Sequence, residues 1–181
     1  SKNVTYLSTY GTLSTTTRTG YTFAGWYTQA SGGTLITSGS TVTSTSNHTL
    51  YSHWTANTYT VTFDANEGTT ASPTSKTVTF DSAYGVLATT TRTGYAFSGW
   101  YTQASGGSLV TSETTVNTAS NHTLYAHWTG NTYTVTFNAN EGDTPYPASK
   151  TVTFGSVYGV LATTTRTGYA FSGWYTQASG G

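Results

Sequence analysis

Cysteine and methionine are both absent from these 181 residues, proline occurs 3 times, and charge is sparse, with 6 Lys plus Arg balanced by 6 Asp plus Glu. Without Cys there can be no disulfide, thiolate metal site or thiol nucleophile. A chain with neither sulfur residue offers nothing to oxidise at sulfur, which suits the oxidising exterior of a cell. Zero net charge supplies no basic face for nucleic acid or for an anionic membrane surface. No run approaches the roughly 18 apolar residues of a membrane span, so no membrane insertion is expected. The opening SKNVTYLSTY has neither the apolar core nor the cleavage site of a signal peptide, and any export signal of a parent protein is expected outside this chain.

Threonine and aromatic residues are plentiful. Roughly a quarter of the residues are Thr, and 15% are aromatic, with 5 Trp and 15 Tyr. Such large apolar groups can be buried, which argues for folded units over low-complexity disorder. The stretch GYAFSGWYTQASGG occurs at 94–107 and again at 168–181, with the near copy GYTFAGWYTQASGG at 20–33. Trp26, Trp100 and Trp174 are thus spaced by 74, as are Tyr21, Tyr95 and Tyr169. A period that long predicts small, separately folded domains in an extended tandem array, since thin solenoid repeats run at about 20–50 residues.

Within one period the signals are those of strands. YTVTF at 59–63 alternates Tyr59, Val61 and Phe63 with Thr, giving one apolar and one hydroxyl face. The ANEG turn follows, and TVTF at 77–80 resumes the alternation, predicting a hairpin. YAFSGWYT at 95–102 reads as a strand with a bulge or close approach at Gly99. HTLYAHW at 122–128 closes the unit as a strand with Leu124, Ala126 and Trp128 on one face. The expected class is mainly β, α+β at most, with a core of Tyr59, Val61, Phe63, Val78, Phe80, Tyr95, Phe97, Trp100, Leu124 and Trp128.

Aligning the copies makes 1–56 a partial repeat lacking its first strand, 57–130 a complete repeat, and 131–181 a partial repeat lacking its last strand. A β unit short of a strand leaves backbone donors and acceptors unpaired. Two expectations follow: the chain is a window on a longer repeat protein, or identical chains complete one another's sheets in a filament. In either case neighbouring repeats are partners, and the short connector TANTYT at 55–60 predicts a semi-rigid stalk.

The sequence YTVTFNANEG, the block YGVLATTTRTGYAFSGWYT and the closing NHTLYAHWT together resemble the Listeria-Bacteroides repeat, also called the internalin-type B repeat of bacterial surface proteins. The resemblance covers essentially the whole chain. It implies small β-grasp-like domains strung in tandem on cell-wall-attached or secreted proteins, without enzymatic activity, and so an extracellular stalk, spacer or filament supporting adhesion. Family members often carry Pro after the YG-L element, where Ala88 and Ala162 stand here.

Other functions meet obstacles in the residues. The Gly-Trp-Tyr block could stack sugar rings, with Tyr101 and Tyr125 as ligand contacts for a glycan or host protein, but a 74-residue domain needs its aromatics for a core. His48 and His53, repeated as His122 and His127, lack the further ligands of a metal site. Glu67 and Glu141 are the recurrent acids, with no paired carboxylate for glycoside hydrolysis and no Ser-His-acid set, so neither catalysis nor a cofactor is expected. Lys76 and Lys150 beside TVTF raise a Lys-Asn cross-link, against the plainer reading of an edge lysine. Arg18, Arg92 and Arg166 are expected to stack on a neighbouring ring or to bond loop carbonyls.

Overall fold

The structure, a computed structural model, describes residues 1–179. Among them the regular elements are ten strands in three sheets, and no helix. The middle sheet is the largest and holds β4 (Thr58–Asp64), β5 (Ser75–Thr79), β6 (Tyr95–Tyr101), β7 (Leu109–Val110) and β8 (His122–Gly130), in the order β5-β4-β8-β6-β7. Antiparallel pairing joins β4 to β5, with Val61 opposite Lys76 and Tyr59 opposite Val78. The unit's first and last strands lie side by side and parallel, Phe63 opposite Leu124. This central parallel pair is flanked by β5 on one side and by the β6–β7 hairpin on the other, and the all-strand unit agrees with the mainly-β expectation. A parallel pair requires a crossover, and residues 80–94 provide it without a helix, laying Tyr84 and Ala88 over the core.

Alternation explains which side chains go inside. In β4, Val61 and Phe63 are buried while the intervening Thr60 and Thr62 face solvent, as a two-residue period on a half-buried sheet requires. Gly99 is the bulge: the register of β6 against β8 shifts between Phe97 and Gly99. Its φ is +134°, and a Cβ there would collide with Leu109. Of the fifteen buried apolar side chains among the described residues, eleven belong to this middle sheet and its loops, from Val61 to Ala126. Burial is therefore concentrated where the full set of five strands is present.

The other sheets are subsets of the same plan. β1 (Tyr21–Tyr27), β2 (Leu35–Ile36) and β3 (Tyr51–Ala56) pair as β2-β1-β3, the counterparts of β7-β6-β8. β9 (Thr132–Thr136) and β10 (Ser149–Thr153) form only the opening hairpin. Tyr169–Tyr175 has the same sequence as β6, yet forms no strand. Its seven residues have equal propensity in both places, so the difference comes from β8, which pairs with β6 and has no counterpart within 131–179. Strand formation here is a property of cross-strand neighbours more than of the segment itself.

Candidate functional site

The chain offers two kinds of site, the aromatic face and the junctions between sheets. On the first, Val61, Phe63, Val78, Trp100 and Leu124 lie in the core, and Tyr59 and Trp128 pack half-buried against it. Phe97 departs from the sequence expectation, being 42% exposed. It lies edge-on to Trp100 and Trp128, with centroids at 5.6 and 5.3 Å. The bulge at Gly99 breaks the alternation, so Phe97 and Trp100 are not equally deep although both are apolar.

The indole N–H groups are used internally. Trp100 donates to Ala88 O at 2.8 Å, Trp128 to Ala65 O at 3.0 Å and Trp26 to Ser14 O at 2.7 Å. Tyr101 is half-buried with one ring face stacked on His127, centroids 3.9 Å apart, and Tyr125, opposite Tyr101 in the ladder, is half-buried too. Beside them a shallow recess of ≈ 260 Å³ is lined by Asn66, Arg92, His127 and Trp128. Asn66 spans its floor, donating to Ala104 O and Ala126 O at 3.1 and 2.9 Å. These contacts hold the ANEG turn against the sheet, and they leave little polar capacity for a sugar.

The remaining polar candidates are also structural. Lys76 Nζ donates to Tyr84 O and Val86 O at 2.6 and 2.7 Å, which closes the crossover loop onto β5. Its amine is thereby committed to carbonyls, and Asn66 is engaged elsewhere. Arg18, Arg92 and Arg166 each stack on the Tyr three residues later, at 3.8, 4.0 and 4.1 Å, and Arg92 also pairs with Glu67. Among the described residues no group of three His, Asp or Glu could hold a metal.

His122 joins the crossover to the last strand. Its Nδ1 lies 2.9 Å from Ser120 O, which can only accept, so Nε2 is left to accept from the Tyr84 hydroxyl at 2.7 Å. Tyr84→Phe leaves that nitrogen unpaired and is expected to cost about 1 kcal/mol in urea unfolding at neutral pH. Burial raises the Tyr84 phenol above its ordinary 10.0. A raised folded value means that this group's stabilisation is complete below pH 10 and is lost as pH climbs through the folded value. The alkaline loss of stability should therefore be smaller in Tyr84→Phe than in the native chain; an identical alkaline profile would show that Tyr84 is not the group responsible.

The junctions correct the placing of two expected core residues. One residue, Asn57, separates β3 from β4, and one, Asn131, separates β8 from β9. Asn57 is pinned from both sides: its N–H donates to Gly20 O, and its carbonyl accepts from Phe80 N–H, both at 2.9 Å. Phe80 does not turn into its own unit's core but meets Tyr21 of the preceding sheet edge-on at 5.6 Å. Tyr95 likewise meets Phe154 of the following hairpin at 5.4 Å, while Asn131 binds Gly94 O and Phe154 N–H at 2.9 and 2.8 Å. Both are half-buried because each sits where two units touch. A 74-residue spacing of apolar residues cannot distinguish a side chain facing its own sheet from one facing the next.

Glycine makes the close approach possible. Gly20 and Gly94 have φ of +78° and +82°, and a Cβ on either would overlap the ring of Phe80 or Phe154. At the first junction Tyr21 also donates to Asp81 Oδ2 at 2.7 Å. That bond is the main reason its phenol is raised, desolvation adding to it and Arg18 opposing. Gly155 replaces Asp81 at the second junction, where a Cβ would meet the Tyr95 hydroxyl at 2.5 Å.

Comparison with known proteins gives a consistent picture. The profile of the Listeria-Bacteroides repeat domain matches residues 1–53, 59–127 and 133–181. A protein of Evansella cellulosilytica provisionally described as a membrane protein is 31% identical over 159 residues, 86% of this chain and 23% of its own. A second from the same organism, provisionally a Gly-rich membrane protein, is 32% identical over 166 residues, 89% of this chain and 18% of its own. Internalin H of Listeria monocytogenes is 37% identical over 91 residues, half of this chain and 16% of its own. The chain thus spans less than a quarter of the curated relatives it matches. No solved structure matches it. No helix among the described residues is long and apolar enough to cross a membrane.

Proposed function

The chain belongs to the Listeria-Bacteroides repeat family, and from that premise we propose that it is a non-enzymatic spacer, a stiff run of repeats in a longer bacterial surface protein, carried outside the cell in support of adhesion. The divisions are 1–56, 57–130 and 131–181. The observation that carries this reading is the repeated junction. At both places the chain passes from one sheet to the next through a single Asn whose N–H and C=O are each bonded to a different neighbour, with an aromatic pair locked beside it. A spacer needs fixed angles between its units, and a linker of one doubly bonded residue provides them where a flexible tether would not.

Surface area supports separate bodies. A single globule of 19.1 kDa exposes about 8,400 Å², and three bodies of a third that mass about 11,300 Å² together. The chain exposes 11,985 Å², near the second figure. Small-angle scattering of the full chain tests the reading. The native chain is expected to scatter as a stiff, extended particle, and a variant with four Gly-Ser residues inserted after Asn57 as a broad ensemble, without change in the unfolding of the middle unit. If the native chain already scatters like the insertion variant, or as a single sphere, the spacer reading fails.

A further inference from the structure

The first and last strands of the middle unit, β4 and β8, are also neighbours in its sheet. They run parallel, with Val61 opposite His122 and Asp64 opposite Tyr125. The chain enters β4 directly from Asn57 and leaves β8 directly into Asn131. Because the two strands point the same way, entry and exit lie at opposite ends of the pair. A pull along the chain therefore draws β4 back toward Thr58 and β8 onward toward Gly130, sliding one strand past the other. Both occupy interior places in the order β5-β4-β8-β6-β7, so neither is an edge strand that could be stripped off alone.

Side-chain bonds prolong this pairing at both ends. Ahead of the ladder, Thr60 N–H donates to Asn121 Oδ1 at 2.8 Å. Beyond it, Asn66 Nδ2 donates to Ala126 O at 2.9 Å and Trp128 Nε1 to Ala65 O at 3.0 Å. Each of these bonds joins β4 or the turn after it to β8 or the residue before it, and each must break before the strands can slide. The core resists as well. Val61 and Phe63 of β4 and Leu124 and Ala126 of β8 are all buried, and a slip of one residue would put their inward positions out of step.

We propose that the middle unit is a force-bearing clamp: tension carried along the chain loads β4 and β8 in shear, and the unit holds until the main-chain ladder and its flanking side-chain bonds give way together. The evenly spaced bonds of a parallel ladder share a shearing load. Strands peeled apart from one end would instead give up their bonds singly. The direction of the load rests on the spacer reading, whereas the shear geometry does not. A row of flexibly joined clamps would fail in scattering and still resist force, and a stiff row of weak units would do the reverse, so the two readings fail on different measurements.

Single-molecule stretching of the full chain provides the test, and the absence of cysteine lets a pair of introduced thiols fix where the load is applied. Ser1→Cys with Gly181→Cys draws on the middle unit from Asn57 and Asn131, in shear. Ser1→Cys with Ser120→Cys, the latter at an exposed position, draws on it from Asn57 and from the loop before His122. Both points then lie at the starting end of the pair, and the strands peel. The middle unit is recognised by the extended chain it releases, about 250 Å in the first geometry and about 220 Å in the second. Opening is expected at a force at least about twofold higher in shear than in peeling, because several bonds bear the load at once. Asn66→Gly keeps the positive φ of this residue accessible and removes the bond to Ala126 O at the far end of the pair. At constant force it should open up to about fivefold faster in shear, and at the native rate in peeling, where that bond breaks last. Equal opening forces in the two geometries, or an Asn66→Gly effect that does not depend on geometry, would overturn the clamp.

Discussion

Trp100→Ala is expected to cost the middle unit about 3–5 kcal/mol, read as a shift in urea unfolding of the full chain. The side chain is 2% exposed, packs on Phe63 at 4.8 Å, and supplies the hydrogen bond that holds Ala88 of the crossover. Removing it leaves a cavity and the carbonyl of buried Ala88 without its donor. At about 0.05–0.15 kcal/mol per residue, a 74-residue unit has about 4–11 kcal/mol in all. The variant should therefore lose from about a quarter to all of the middle unit's stability.

The repeat provides its own controls for that figure. Trp26 and Trp174 occupy the same place in the sequence pattern but are only half-buried. Among the described residues none packs on Trp26 as Phe63 packs on Trp100, and Trp174 meets Phe137 at 4.8 Å without a strand paired over it. Alanine at either position is expected to cost less than at Trp100. Equal losses at all three would mean that burial within a complete sheet is not what makes this residue important.

The same comparison shows what the sequence could and could not reveal. Alternation in YTVTF and HTLYAHW identified the strands and the inward face of each, and Gly99 marked the bulge, because both signals are local to a few residues. Two features needed the third dimension. YAFSGWY is one string with two outcomes, strand at 95–101 and no strand at 169–175, since its state depends on a partner some thirty residues away. Phe80 and Tyr95 read as core by alternation, yet they belong to the contact between units. In a tandem repeat an apolar residue at the end of a strand has two cores within reach, and periodicity is the same for both.

Gly94→Ala is the substitution expected to loosen the array most while sparing the cores. At φ +82° an alanine bears left-handed strain of about 1–2 kcal/mol. Its Cβ would also overlap the Phe154 ring, so that ring must leave Tyr95, and the Asn131 N–H bond to Gly94 O is put at risk. Gly168 separates the two effects. It lies in the same local sequence at φ +80°, but open space surrounds the position of its Cβ. Gly168→Ala should thus show the backbone strain alone, and Gly94→Ala the strain together with the broken junction. The measurement is paired: unfolding for the energy, small-angle scattering for the angle between units. Broadened scattering in Gly94→Ala and not in Gly168→Ala is expected, with Gly20→Ala, facing Phe80, behaving as Gly94→Ala does. If Gly94→Ala and Gly168→Ala give the same scattering as the native chain, the aromatic lock contributes nothing to stiffness, and the angle between units is set by the doubly bonded Asn57 and Asn131 alone.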